Sequence, residues 1–570
     1  MPRFFSALVL IPAATAVISL GLADTQAAQQ PSAQAPTSPA TVPVSGPLET
    51  PSRIALRADP DVLFKTSGNC MPCHNSLVAP SGEDVSIGAG WRASMMANSA
   101  RDPYWQAAVR REAIDHPGAA ADIQDECAIC HMPMARATAN AAGKKGQVFA
   151  HLPVNAHSDD QALLAHDGVG CAMCHQISSE KLGTPESFVG GFVIAGRQST
   201  PRPIYGPFDP QKGLSTIMRS SAEFQQTKGD HIRQSELCAT CHTLITKALG
   251  PQGQVVGQLP EQMMYLEWKH SAFEVEQRSC QSCHMPAVDQ EMPITSVLGE
   301  PRKGLARHVF VGGNFFMLRM LNRHRLDLGV EAPSHELDAS ALRTIRNLQT
   351  ETAAISVERA EMSGGRLEVD LSVKNLTGHK LPTAYPSRRA WLHVTVRDRN
   401  GRQVFESGAI TPSGLIQGND NDADAAKFEP HYTEIRQPDQ VQIYESIMGD
   451  PAGAPTTGLL TAVRYLKDNR LLPRGFDKTT ADADIQVVGG ASQDADFTGG
   501  SDRTRYSIDT AGSEGPFQID VELRFQPIGF RWAQNLKPYN APETQRFAGY
   551  YDAMASSSSE MLVRAAAISR

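Results

Sequence analysis

Glu126-Cys127-Ala128-Ile129-Cys130-His131-Met132-Pro133 holds two cysteines three positions apart, with a histidine directly after the second. The same spacing recurs at Cys70/Cys73/His74, Cys171/Cys174/His175, Cys238/Cys241/His242 and Cys280/Cys283/His284, and it uses all 10 cysteines of the chain. From composition, a given cysteine has Cys at +3 and His at +4 with a chance of about 0.0005, so five occurrences cannot be accidental. C-x-x-C-H is the attachment pattern of c-type haem. Two thiols at this spacing reach the two vinyl groups of one porphyrin, and the adjacent histidine is left to place a ring nitrogen on the iron. The sequence therefore predicts five c-type haems, with all ten cysteines as thioethers and His74, His131, His175, His242 and His284 as proximal ligands. A disulfide framework would not put a histidine after every pair. Zinc ribbons use two knuckles per metal, which five pairs do not fit, and a thioredoxin-like C-x-x-C occurs singly.

Working outward, each iron has a sixth position, which an electron-relaying haem fills with histidine or methionine. Of the 17 histidines, His231 lies seven residues before Cys238, His270 follows Trp268, His308 follows the last haem site, and His379 sits in a loop between two expected strands. These four are candidate distal ligands. His116, His157, His166, His324, His335, His393 and His431 read as ordinary core or surface histidines. Cys130-His-Met-Pro133 and Cys283-His-Met-Pro286 hint at an internal duplication, and the haem-bearing stretch reads as short helices and loops.

The segment from about 60 to 315 resembles the multihaem cytochrome superfamily of cytochrome c-554 and hydroxylamine oxidoreductase. The residues that carry the likeness are the five C-x-x-C-H sites, Trp91-Arg-Ala-Ser-Met-Met96, Glu267-Trp-Lys-His270 and His308-Val-Phe-Val-Gly-Gly-Asn314. Gly378-His379-Lys-Leu-Pro-Thr383 resembles a loop that follows the haem sites in larger relatives. The resemblance implies distal roles for His231, His270, His308 and His379. It also exposes a departure: where the family often has Trp-x-x-Ser-x-His, this chain has Met96, so a His/Met-ligated haem is expected there, with His151 as the substitute ligand.

Beyond the haem sites the period changes. Leu337, Leu342, Ile345 and Leu348 are expected to share one face of a connecting helix over 334–354. Leu367, Val369, Leu371 and Val373 then alternate with polar residues, as do Leu392, Val394 and Val396, which run into Asn400-Gly401, and Phe517 to Phe525. These read as strands of a β-rich, sandwich-like domain over 355–540, followed by a helical tail over 541–570. The fold class expected is thus multidomain: a mainly α and irregular pentahaem cytochrome domain over 53–333, then a β-rich domain. Asp420, Asp422 and Asp424 are spaced like the start of a calcium loop, although Ala425 and His431 stand where its glycine and glutamate belong.

Arg3 before an uncharged run from Phe4 to Leu22, then Ala23, Ala27 and Ala28, reads as a cleaved export signal over 1–28, and 29–52 is a Pro/Ala/Ser-rich linker. A periplasmic or otherwise exported location follows, in keeping with haem attachment after export. The linker would allow standing off from a membrane or cell surface. A net charge of −8 excludes a basic nucleic-acid binder. The expected function is electron transfer between redox protein partners. The alternatives are an oxidoreductase acting on a small nitrogen or sulfur compound at one open haem, and a structural role in which exposed sheet edges dock the cytochrome or build a polymer. No catalytic acid or base stands out; Tyr104 and Tyr265 are available.

Overall fold

The computed structural model describes residues 63–195 and 201–569. The expected signal peptide, the linker and the start of the haem-bearing region lie outside the described residues. The description below concerns the unit Ala58–Arg570.

From Leu63 to about Arg307 the chain forms short helices joined by loops. The longest, Pro103–Asp115, begins cleanly because Asp102 accepts hydrogen bonds from the backbone N–H groups of Tyr104 and Trp105 at 2.8 and 3.2 Å, with Pro103 at the first helical position. Two small sheets accompany the helices: Arg202–Gly206 pairs in parallel with Phe224–Lys228, and Leu244–Leu249 antiparallel with Val255–Gln262.

The helix Ser334–Glu351 follows, and its buried residues are Leu337, Ser340, Ala341, Thr344, Ile345 and Leu348. Leu342 is 65% exposed, contrary to the expected face. At about 100° per residue Leu342 lies about 140° around the helix from Leu337, and the small side chains of Ser340, Ala341 and Thr344 complete the buried stripe instead.

The strands are built as their alternation demands. Leu367, Val369, Leu371 and Val373 of Arg366–Asn375, Leu392, Val394 and Val396 of Arg389–Arg397, and Ile519, Val521 and Leu523 of Gln518–Gln526 are all buried. They fall in two sheets. One runs Ala353–Ser363, Arg366–Asn375, Ser501–Asp509, Glu434–Ile435. The other is seven-stranded around Arg389–Arg397, with Gln518–Gln526 and Ile443–Gly449 beside it. Residues of both sheets belong to one buried apolar cluster, which also takes in Phe315, Phe316 and Tyr104. The haem-bearing region and the sheets therefore share a core. Asn400-Gly401 makes the expected tight turn, with Gly401 at φ 79°.

The tail differs from expectation. Helix Pro542–Met554 ends before Ser556–Ser559, whose hydroxyls compete for backbone hydrogen bonds; the Ser557 hydroxyl donates to the Met554 carbonyl at 2.8 Å. Glu560–Ile568 then adds an antiparallel edge strand to Gln518–Gln526.

One loop positions the site. Between strands Arg366–Asn375 and Arg389–Arg397, residues 376–388 leave the sheets and enter the wall of a cavity in the haem-bearing region.

Candidate functional site

The interior of the haem-bearing region is a connected cavity of about 1270 Å³. Nine of the ten motif cysteines line it (all but Cys73), with all five motif histidines. No disulfide joins the cysteines. The motifs lie on helical turns: Ala120–His131 ends in one, Cys171–Gln176 and Cys280–His284 are others, and the His74 and His242 N–H groups donate to the Cys70 and Cys238 carbonyls at 3.1 and 2.9 Å. A helical turn puts residues i, i+3 and i+4 on one side, so both thiols and the imidazole of each motif face the same space.

The imidazoles are prepared as neutral ligands. Nδ1–H donates to a backbone carbonyl in His74 (Ile294, 2.6 Å), His131 (Ser99, 2.9 Å), His175 (Tyr205, 2.5 Å) and His284 (Val311). That fixes the tautomer and leaves the Nε2 lone pair for a metal. Burial pushes His131 and His242 down to about 4, and lowers His74 and His175 as well, so all four are uncharged at neutral pH. The Trp105 ring lies parallel to His131, 4.4 Å between centroids.

Two of the expected distal ligands meet proximal partners. The rings of His175 and His308 are 6.3 Å apart between centroids at 22°, and those of His284 and His379 are 6.2 Å apart at 19°. These separations are too long for ring stacking, and the distances have another meaning. A metal–imidazole bond of about 2.0 Å on each side, plus roughly 1.1 Å from each nitrogen to its ring centre, sets two trans imidazoles about 6.2 Å apart. His308 and His379 donate Nδ1–H to the Ala306 and Lys380 carbonyls, each at 2.9 Å, and burial lowers both to about 4. Each pair thus leaves two Nε2 atoms with room for one iron between them. The residues present fit c-type haem.

The other candidates are placed differently. Met96 lines the cavity, whereas His151 does not; the His151 carbonyl accepts from His166 Nε2 at 2.7 Å. His231 is buried, but its Nε2–H donates to the Ile177 carbonyl at 2.9 Å, which leaves Nδ1 as its ligating atom. His270 is not brought to a motif histidine: its Nδ1–H donates to the Leu266 carbonyl at 2.8 Å, and Nε2 lies 3.5 Å from Asp482. Among the described residues, His74, His131 and His242 show no second imidazole at the spacing of the two pairs.

The five motifs touch one another. The Cys70 side chain interacts with Cys171, Cys130 with Cys241 and Cys238 with Cys280, and these contacts with burial raise Cys70, Cys130 and Cys238 well above the usual range. Cys174 faces Cys241 and Cys238 electrostatically. All five sites are linked in this way, with the fourth facing the second, the third and the fifth.

Sequence reasoning missed the polar clamp behind His379. Lys380 Nζ, fully buried, is 2.7 Å from Asp468 Oδ2. Arg470 bonds Asp468 at 2.8 and 2.7 Å and reaches Glu267 at 3.1 Å. Glu267 in turn accepts from the Lys380 N–H at 3.1 Å and from the Thr383 hydroxyl. Glu267 belongs to the quoted Glu267-Trp-Lys-His270 stretch, where the histidine rather than the glutamate drew attention. The loop also passes so close to Phe273 that a Cβ on Gly378 would meet its ring at 3.0 Å, which explains the glycine there.

The calcium reading of Asp420, Asp422 and Asp424 fails. Asp422 is buried against Arg389, whose Nη1 and Nη2 donate to its two oxygens at 2.7 and 2.8 Å, and its Oδ2 also accepts from Ile416 N–H at 2.9 Å. Its lone pairs are spent within the protein. A second cluster, His431, Asp494 and Asp502, is likewise a hydrogen-bond network. Gln442 and Asn469 both donate to His431 Nδ1 at 3.1 Å, and their amide oxygens are fixed by the Tyr432 and Glu445 N–H groups. The ring proton is therefore on Nε2, which donates to Asp494 at 3.0 Å.

No family model matches the sequence, and no curated protein matches it. Among solved structures, the chain is similar to a penta-heme cytochrome c552 from Thermochromatium tepidum, with 15% identity and a TM-score of 0.48 over 89% of this chain and 99% of that one. At that similarity the haem assignment rests on this chain's own residues.

Proposed function

We propose that the chain is an exported five-haem c-type cytochrome that relays electrons between redox protein partners. One observation carries the reading: inside a cavity lined by all five C-x-x-C-H histidines, two of them face a second imidazole at the separation of trans ligands on one iron. The haems supply reversible one-electron chemistry; the chain supplies everything that tunes it. His74, His131, His175, His242 and His284 hold the proximal positions. His308 and His379 cap two of the irons, and bis-histidine capping closes those irons to substrate. Met96 and His231 are the ligands assigned to two more. Motifs whose cysteines lie against one another would hold their haems close together, which suits a relay. No helix among the described residues is long and apolar enough to cross a membrane.

The second reading, an oxidoreductase with one open iron, draws on the three motif histidines that lack a facing imidazole. Carbon monoxide added to the reduced, haem-loaded protein separates the two. A relay, whose fifth iron must also be capped, leaves the Soret band where it is, and a shift of about one haem's worth of absorbance moves the assignment to the oxidoreductase.

A further inference from the structure

Among the described residues the buried cations are matched with acids, whereas the partly exposed Arg388 is not. Arg389 has Asp422 at 2.7 Å, Lys467 has Glu445 at 3.0 Å, Lys380 has Asp468, and Arg470 has both Asp468 and Glu267. Arg388, the neighbour of Arg389, has none. It lines the cavity wall, where Nη1 donates to the Thr383 carbonyl at 3.1 Å and Nη2 to Asn314 Oδ1 at 3.3 Å. Both acceptors are neutral, and among the described residues no carboxylate stands within ion-pair distance. A guanidinium does not shed its proton, and an unpaired charge held away from water is costly. The Arg388 guanidinium therefore meets the cavity with neutral partners only.

The place is specific. Arg388 acts electrostatically on both His242 and His379, so it lies near the fourth motif site and near the loop that faces the fifth. Asn314 closes the His308–Asn314 stretch. With its Oδ1 engaged by Arg388, its Nδ2 amide is left as a second donor. Gly313 presents no side chain here; a Cβ would lie 3.8 Å from Arg388 Nη1. The wall thus offers a planar fork of donors and a carboxamide on the cavity, the set that recognises a carboxylate or oxyanion.

We infer that Arg388 and Asn314 form an anion seat in the cavity wall near the His242 site and the His379 loop, and that its ligand is a carboxylate-like anion: a haem propionate, or a free small oxyanion. The inference rests on the haem reading, and the test separates the two.

The full, haem-loaded chain is compared with Arg388→Gln and Arg388→Lys. Haem is first counted by pyridine haemochrome. Fewer than five c-type haems in the unmodified chain would sink the haem reading, whatever Arg388 does. Reduction potentials are then measured with and without sodium nitrite as the oxyanion probe. If a propionate sits on Arg388, R388Q keeps five haems and moves one reduction wave to lower potential, R388K stays near the parent, and nitrite changes nothing. Loss of one haem in R388Q but not in R388K supports the same source. If a free oxyanion sits there, nitrite shifts the parent's spectrum saturably and R388Q binds it at least about tenfold more weakly. Five haems with unaltered potentials in R388Q and no nitrite response in any form would overturn the seat. So would equal haem loss in R388Q and R388K, because charge would then be irrelevant.

Discussion

Between Leu367 and Phe525 the interior is closed by side chains: Val369, Leu371, Leu392, Val394, Val521 and Leu523 each have no exposed surface. Between Cys70 and His308 the interior is a cavity of about 1270 Å³ lined by thiols and imidazoles. The two regions have one backbone chemistry and opposite ways of making a core. Alternating aliphatics satisfy the close packing that a protein interior requires. The haem-bearing region reaches that density only when something flat, apolar and covalently tethered fills the space its chain leaves. The sheets are self-sufficient in this sense, and the haem-bearing region is not.

The comparison breaks first, and most severely, at the middle of the motif series. Cys171→Ser with Cys174→Ser removes one tether pair and would leave a porphyrin-sized void between the first and fourth sites, both of which the third touches. A loss of at least about 5 kcal/mol and one haem fewer than the parent is expected, read by thermal melting and pyridine haemochrome. A variant with the parent's melting temperature would show that haem is not what packs this region. In the sheets, Leu523→Ala should cost about 2–5 kcal/mol in a denaturant titration while all haem absorbance stays unchanged. A shifted Soret band there would mean that the apolar cluster shared by the two regions carries the packing defect into the cavity.

The bridge between the regions is sharpened by two histidine variants. His379→Ala is expected to convert one iron to high spin and open it to carbon monoxide, whereas His270→Ala leaves every iron as it was. Electron paramagnetic resonance reads both, and the reverse result would reassign the fifth site.

The smallest effect lies on the sheet surface. Burial alone would lower His393, but the Glu522 and Glu406 carboxylates outweigh it and raise the ring above its ordinary value, with Glu406 Oε1 2.9 Å from Nε2. A raised folded-state value means that this contribution is complete below about pH 6.5 and fades as pH rises through the shifted value. His393→Gln should therefore cost about 0.5–1 kcal/mol at pH 5.5 and close to nothing at pH 9. Equal losses at both would remove the ion pair from the account.

How much of this was legible depended on whether the chemistry is local. The thioether motif is covalent and contiguous, so five sites could be read without a fold. Strand alternation is equally local, and every aliphatic picked out at 367–373 and 392–396 is buried. Leu342 was misread because small residues can complete a helix face that a search for large ones passes over. The edge strand Glu560–Ile568 was read as helix because its partner, Gln518–Gln526, supplies the pairing from elsewhere in the chain. His308 and His379 could be named, but their partners could not, since trans ligation is a matter of distance in space. Arg388 gave no signal at all: its significance lies in the acid that is absent around it.

The His379 loop has a consequence for the order of assembly. On the proposed reading, the iron tethered at Cys280 and Cys283 has its proximal ligand as soon as His284 is in place. Its opposite face must wait. His379 is held through Lys380, Asp468 and Arg470, and Asp468 ends strand Arg464–Asp468 of the seven-stranded sheet, which the chain finishes only at Ile568. A nascent molecule would therefore carry one exposed, reactive iron for as long as its C-terminal strands are unmade, and completion of the final edge strand would also seal that iron.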